Sequence, residues 1–130
     1  MFWSHKDLNV YYETFGEGQP VFLIHGYTVD SRLMKGCFEP IFQGKAYKRI
    51  YIDLPGMGQT KAAGWIENAD VMLEILESFL NEMIPDGKFL IAGESYGGYL
   101  MRGIIRNMPE RIAGSLFLCP CVIPDLDART

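Results

Sequence analysis

Histidine is scarce in this chain. Only His5 and His25 occur in 130 residues, so chemistry that needs an imidazole later in the sequence finds none. Cysteine is scarce too. Cys37, Cys119 and Cys121 are odd in number and lack framework spacing, which excludes a disulfide-stapled scaffold and points to reduced thiols in an intracellular, cytoplasmic chain. Cys119-Pro120-Cys121 could form half of a metal site. With no second cysteine pair and both histidines distant in sequence, no metal is expected, and the thiols are expected to be buried. No apolar run approaches the roughly 20 residues of a membrane span. The start, Met1-Phe2-Trp3-Ser4-His5-Lys6-Asp7, lacks the basic end and apolar stretch of a signal peptide. There is no basic block, and 12 Lys+Arg against 16 Asp+Glu leave a net charge of −4. Neither nucleic acid nor a membrane is therefore an expected partner.

What is present is a globular composition, 48% hydrophobic and 22% charged, in a length that fits one domain with a real core. Leu8 to Phe15 alternates apolar and polar residues, as a half-buried strand does. Val21-Phe22-Leu23-Ile24 is a short continuous apolar run, expected of a strand covered on both faces. A short helix is expected near Arg32 to Phe42. Lys48 to Asp53 holds a second buried strand, broken by Leu54-Pro55-Gly56-Met57-Gly58. From Trp65 to Ile84 the apolar residues Ala69, Met72, Leu73, Leu76, Phe79, Leu80 and Met83 follow the stripe of an amphipathic helix. Lys88 to Ala92 reads as a strand, Tyr96 to Met108 as a helix, and Ile112 to Leu118 as a last apolar strand. From residue 20 onward strands alternate with helices, which means β-α-β units and a mostly parallel sheet flanked by helices.

Gly93-Glu94-Ser95-Tyr96-Gly97 lies at a strand-to-helix junction. A strand that turns at once into a helix strains its turning residue and brings the residues two positions either side into close approach. Glycine at those positions removes the clash and leaves the serine hydroxyl accessible at a helix N-terminus, the pattern of a nucleophile elbow. The competing reading of Ser95 is an ordinary helix N-cap. Glu94, beside it, is accounted for by the helix macrodipole.

Three motifs now stand in order, each after a strand: His25-Gly26, Asp53-x-Pro55-Gly56-x-Gly58, and Gly93-x-Ser95-x-Gly97. Their order and spacing resemble the α/β-hydrolase fold across roughly residues 8 to 120. The resemblance implies a serine hydrolase of ester, amide or related acyl compounds, with Ser95 as nucleophile, no cofactor, and a small acyl substrate as partner. It implies oxyanion donors at the backbone N–H groups of Tyr96 and Tyr27, with Gly26, Gly93 and Gly97 as supporting positions. His25 would support the oxyanion loop and not serve as base. Asp53 is expected to hold local N–H groups of its own turn, and His5 to be solvated. Tyr27, Tyr96 and Tyr99 would wall an apolar pocket or simply pack.

In this fold the triad runs serine, acid, histidine. No histidine follows Ser95 here. A minority of relatives place the acid directly after the strand that ends near Leu118, which makes Asp125 or Asp127 the candidates; otherwise these acids belong to a solvated tail. The resemblance thus implies that residues 1–130 are the N-terminal portion of one hydrolase core, with cap and final strands beyond them. Two readings follow. One is a hydrolase whose base comes from outside this segment. The other is a non-catalytic half-domain that binds or assembles without turnover. Because the Ile112–Leu118 strand would have no partner on its far side, a homodimer or swapped assembly through that edge is expected.

Overall fold

The computed structural model describes residues 1–123 and 125–128. Nine elements build it: β1 (Phe2–His5), β2 (Leu8–Phe15), β3 (Gln19–Ile24), α1 (Ser31–Phe42), β4 (Tyr47–Ile52), α2 (Ala69–Met83), β5 (Phe89–Glu94), α3 (Tyr96–Asn107) and β6 (Ile112–Leu118). Short helical turns cover Pro109–Arg111 and Leu126–Ala128. The six strands form one sheet in the order β1-β2-β4-β3-β5-β6. β1 and β2 are antiparallel to their neighbours, and the pairs β3–β4, β3–β5 and β5–β6 are parallel. The sheet is thus mostly parallel and flanked by helices, as the alternation of elements implies.

Period-two alternation divides the core between the two faces. On β3, Phe22 and Ile24 pack with Phe79 and Leu80 of α2 and with Leu100 and Ile104 of α3. Val21 and Leu23 point the other way, against Met34 and Phe38 of α1. β4 does the same, with Ile50 and Ile52 on one face and Tyr51 on the other. A continuous apolar run is needed because both faces are covered. α1 is also held electrostatically: the Arg49 guanidinium forks onto Glu39 at 2.7 and 2.9 Å, and the Tyr51 hydroxyl donates to Glu39 at 2.7 Å.

Two expectations are corrected. His5 does not lie ahead of the first strand but within it, and it is half-buried there. Phe2–His5 is itself a strand, its hairpin turning through Lys6 at φ 55°, and the His5 ring stacks on Trp3 at 5.1 Å. A four-residue strand with one strongly buried side chain, Trp3, carries too short an alternation to register as a pattern. The second helix begins at Ala69, not near Trp65, because Asn68 caps it by accepting the Val71 N–H at 3.0 Å. Trp65 packs against the core from the preceding turn.

Candidate active site

The C-terminal ends of β3, β4 and β5 converge with the loops that follow them, and Ser95 stands at the centre. Its backbone has φ 51° and ψ −113°, a region that L-residues avoid, and its side chain makes no capping hydrogen bond to α3. The N-cap reading therefore has no hydrogen bond behind it. The strain is held from three sides. The Ser95 N–H donates to the Leu118 carbonyl at 3.0 Å, and the Ser95 carbonyl accepts from Tyr99 at 3.1 Å and from Cys121 at 2.9 Å. Leu118 and Cys121 were not legible as elbow supports, because they reach Ser95 only through the parallel register of β5 on β6.

The glycines are fixed by space. A Cβ on Gly93 would sit 2.6 Å from the Gly97 carbonyl oxygen. One on Gly97 would collide with the carbonyls of Ile24 and His25. One on Gly26 would meet the Glu94 carboxylate and lie 3.0 Å from the Ser95 Cβ. The loop after β3 and the elbow are thus packed backbone to backbone.

His25 is fully buried at 0% exposure. Leu54 N–H donates to its Nε2 at 2.9 Å, which leaves Nδ1 to carry the proton and donate to the Gly26 carbonyl at 2.6 Å. Burial pushes its pKa below the usual imidazole range, against the opposing pull of the Gly26 hydrogen bond and of the Asp53 and Asp30 charges. Both nitrogens are engaged in holding loops, so His25 has no lone pair to offer Ser95. Asp53, also buried, accepts from the Ser31 N–H at 2.8 Å and the Gln59 N–H at 2.9 Å. It ties the start of α1 to the β4 loop, farther than the local turn expected of it. Asp30 caps α1, and its ion pair with Arg32 holds its carboxyl down to about 2.

Glu94 does more than face a helix dipole. It ends β5 with its carboxylate against Gly26, and its Oε2 is buried without a hydrogen-bond partner among the described residues.

An open cleft of about 800 Å³ lies over Ser95, walled by Tyr27, Tyr96 and Tyr99 and by the segment after β6. Tyr27 is 69% exposed and meets Tyr96 edge-on at 6.3 Å; Tyr96 stacks on Tyr99 at 6.2 Å. Burial pushes the Tyr96 phenol above its usual range, with Tyr99 and Tyr27 adding to it. The backbone N–H groups of Tyr27 and Tyr96 meet no acceptor among the described residues. Asp125 does not line this cleft; its carboxylate accepts the Asp127 N–H at 3.0 Å in its own turn, and both acids are exposed. The expected burial of the thiols is also corrected: Cys37 and Cys119 are exposed and Cys121 is half-buried. Cys119 and Cys121 follow β6, the edge strand of the sheet. No group of three metal-ligating side chains occurs among those residues. No described helix is long and apolar enough to cross a membrane.

A mostly parallel sheet, a strained serine elbow and an opposing loop packed on it through glycine define the scaffold of a hydrolase. The chain belongs to the alpha/beta hydrolase family, which matches residues 21–130. It is 31% identical over 105 residues to a pimeloyl-[acyl-carrier protein] methyl ester esterase of Legionella pneumophila (strain Corby), a match covering 81% of this chain and 39% of that protein. A proline iminopeptidase of Neisseria meningitidis is 29% identical over 121 residues, covering 85% of this chain and 37% of the relative. Among solved structures, an alpha/beta superfamily hydrolase from Oenococcus oeni PSU-1 superposes with a TM-score of 0.90 at 32% identity, covering 100% of this chain and 48% of the other. The chain therefore spans less than half the length of these proteins.

Proposed function

We propose that these residues carry the nucleophile and oxyanion hole of a serine hydrolase that cleaves esters, amides or related acyl compounds through an acyl-enzyme at Ser95. The observation that carries the reading is the Ser95 backbone, held at φ 51° with an uncapped side chain beside an open cleft. Strain of this kind costs about 1–3 kcal/mol and persists only where the surroundings impose it. The similar methyl ester esterase and proline iminopeptidase fit acyl chemistry on both oxygen and nitrogen leaving groups.

In this reading Ser95 Oγ attacks the acyl carbon while its proton passes to a base. The carbonyl oxygen becomes an oxyanion and accepts from the N–H groups of Tyr27 and Tyr96. Each such preorganised donor lowers the barrier by about 3–4 kcal/mol. The tetrahedral intermediate expels the alcohol or amine, which takes the proton, and water then hydrolyses the acyl-enzyme by the same route. His25 is occupied by Leu54 and Gly26, and His5 lies in β1, separated from β5 by three strands of the sheet. The triad of the family has a histidine as base, and this reading takes it from outside these 130 residues. That neither histidine can serve Ser95 is also what favours the second reading, a half-domain that binds or assembles without turnover.

A fluorophosphonate probe separates the two. Labelling of the folded 130-residue chain that disappears in Ser95→Ala supports an active serine. A folded sample that stays unlabelled, while a longer form of the protein labels at Ser95, assigns the turnover to the longer form. Labelling at neither sinks the hydrolase reading.

A further inference from the structure

Two thiols stand in the wall of the Ser95 cleft. Cys119 and Cys121 both line it, together with Pro120 between them. One residue separates them, and both border the same opening beside Ser95. Cys119 turns the chain out of β6 at φ 45°, and Pro120 fixes the backbone that follows. Cys119 is exposed and Cys121 half-buried, with the Cys121 thiol directed to the Ile123 carbonyl at 3.6 Å. The Cys121 N–H holds the Ser95 carbonyl at 2.9 Å, so this thiol pair and the elbow share one piece of backbone. Nothing in the acyl chemistry above uses either sulfur.

We propose that Cys119 and Cys121 form a dithiol site at the mouth of the cleft, which takes a soft, thiophilic centre bridging both sulfurs and, when occupied, closes access to Ser95. The closure rests on the reading of Ser95 as nucleophile; the thiol chemistry does not. Soft centres select thiolate ligands, and two thiolates separated by one proline satisfy a centre that binds two sulfurs. A trivalent aryl arsenical shows the balance. Two As–S bonds form, the As–O bonds break, the oxygen leaves as water with both thiol protons, and arsenic stays trivalent, so no oxidant is needed. The aryl group then lies among Tyr27, Tyr96 and Tyr99.

The test treats the reduced chain with phenylarsine oxide and reads intact mass, hydrogen exchange and Ser95 labelling. One arsenical per chain is expected, released by ethanedithiol. Retention should fall at least tenfold in Cys119→Ser and in Cys121→Ser and stay unchanged in Cys37→Ser. Backbone exchange around Ser95 and Cys121 should slow on binding, a readout that needs no catalysis. In whichever form of the protein the fluorophosphonate labels, labelling of Ser95 should drop at least tenfold with the arsenical present and recover with the dithiol. Undiminished retention in either serine variant, capture that depends on Cys37, or unchanged exchange at the elbow overturns the dithiol site. Full Ser95 labelling of the occupied protein overturns the closure. A Ser95 that labels in no form, with mass and exchange as expected, removes the hydrolase reading and leaves the dithiol site standing.

Discussion

The Leu54 N–H donates to His25 Nε2 at 2.9 Å, and this single contact joins the loop after β3 to the loop after β4 beneath the Ser95 cleft. His25→Ala removes the acceptor, leaves the Leu54 N–H buried without a partner and opens a cavity. The expected loss is about 2–4 kcal/mol. Urea unfolding followed by far-UV circular dichroism measures it; a change within 0.5 kcal/mol, roughly the range of a surface substitution, would count against the role.

The same residue sets a pH dependence. Burial holds the folded pKa of His25 below its usual value of about 6.5, so the unfolded chain binds the extra proton first. The stabilisation is fully present above that value and is lost as pH falls toward the folded pKa. Stability should therefore decline below about pH 6.5, and His25→Ala should flatten that part of the curve. A second decline, from the lowered carboxyls of Glu13, Glu39 and Asp30, lies below the ordinary carboxylate pKa of about 4 and survives the substitution. Unfolding midpoints collected from pH 8 to pH 3 resolve the two.

Gly97 and Gly26 should respond differently to alanine. At Gly97 the added methyl meets the main-chain carbonyls of Ile24 and His25, which cannot retreat without moving β3. At Gly26 it meets first the far end of the Glu94 side chain, which can swing away. Gly97→Ala should cost about 1–3 kcal/mol, as overpacking does, and Gly26→Ala distinctly less. Comparable losses in denaturant titrations would show that Glu94 is as fixed as the backbone. Gly26→Ala should still disturb the Tyr27 N–H, because the Ser95 Cβ lies 3.0 Å from the added carbon.

The fold was readable because its physics is local and repeated. Val21 to Ile24 is continuous because β3 is covered on both faces, and Ala69 to Met83 keeps its stripe because α2 covers one. The elbow was readable because three of its positions admit only glycine or a small nucleophile. What escaped depends on contacts distant in sequence. Leu118 and Cys121 support Ser95 through strand register, and the Glu94 Oε2, buried without a hydrogen-bond partner among the described residues, is visible only once Gly26 is laid over it. The thiols were expected inside because cysteine is usually buried, yet residues 119 to 121 lie where the sheet ends.

Ser95 holds its conformation against its own preference, so replacing it with glycine should stabilise the fold. Relief of a disallowed backbone is worth about 1–3 kcal/mol, and the added freedom of glycine in the unfolded chain returns about 0.5–1. A net gain of roughly 1 kcal/mol is expected for Ser95→Gly and none of that size for Ser95→Ala, which keeps the Cβ. Parallel thermal melts decide it. Equal melting temperatures for both variants would mean that the elbow carries no strain.

β6 presents the clearest consequence for assembly. It pairs with β5 on one side, and among the described residues no strand pairs on the other. Its side chains are uncovered as well, with Leu116 50% and Phe117 38% exposed. A long, apolar, unpaired edge recruits another strand through its free N–H and carbonyl groups. The isolated 130-residue chain is therefore expected to associate with itself as concentration rises. A single lysine on the edge opposes such pairing by bringing like charges together, so Leu116→Lys should weaken the association about tenfold or more, a change of about 1.4 kcal/mol. Light scattering across a concentration series reads both effects. A monodisperse monomer at the highest concentration would show that β6 is protected by its own twist or by the segment that follows it, and the expected dimer would then be withdrawn.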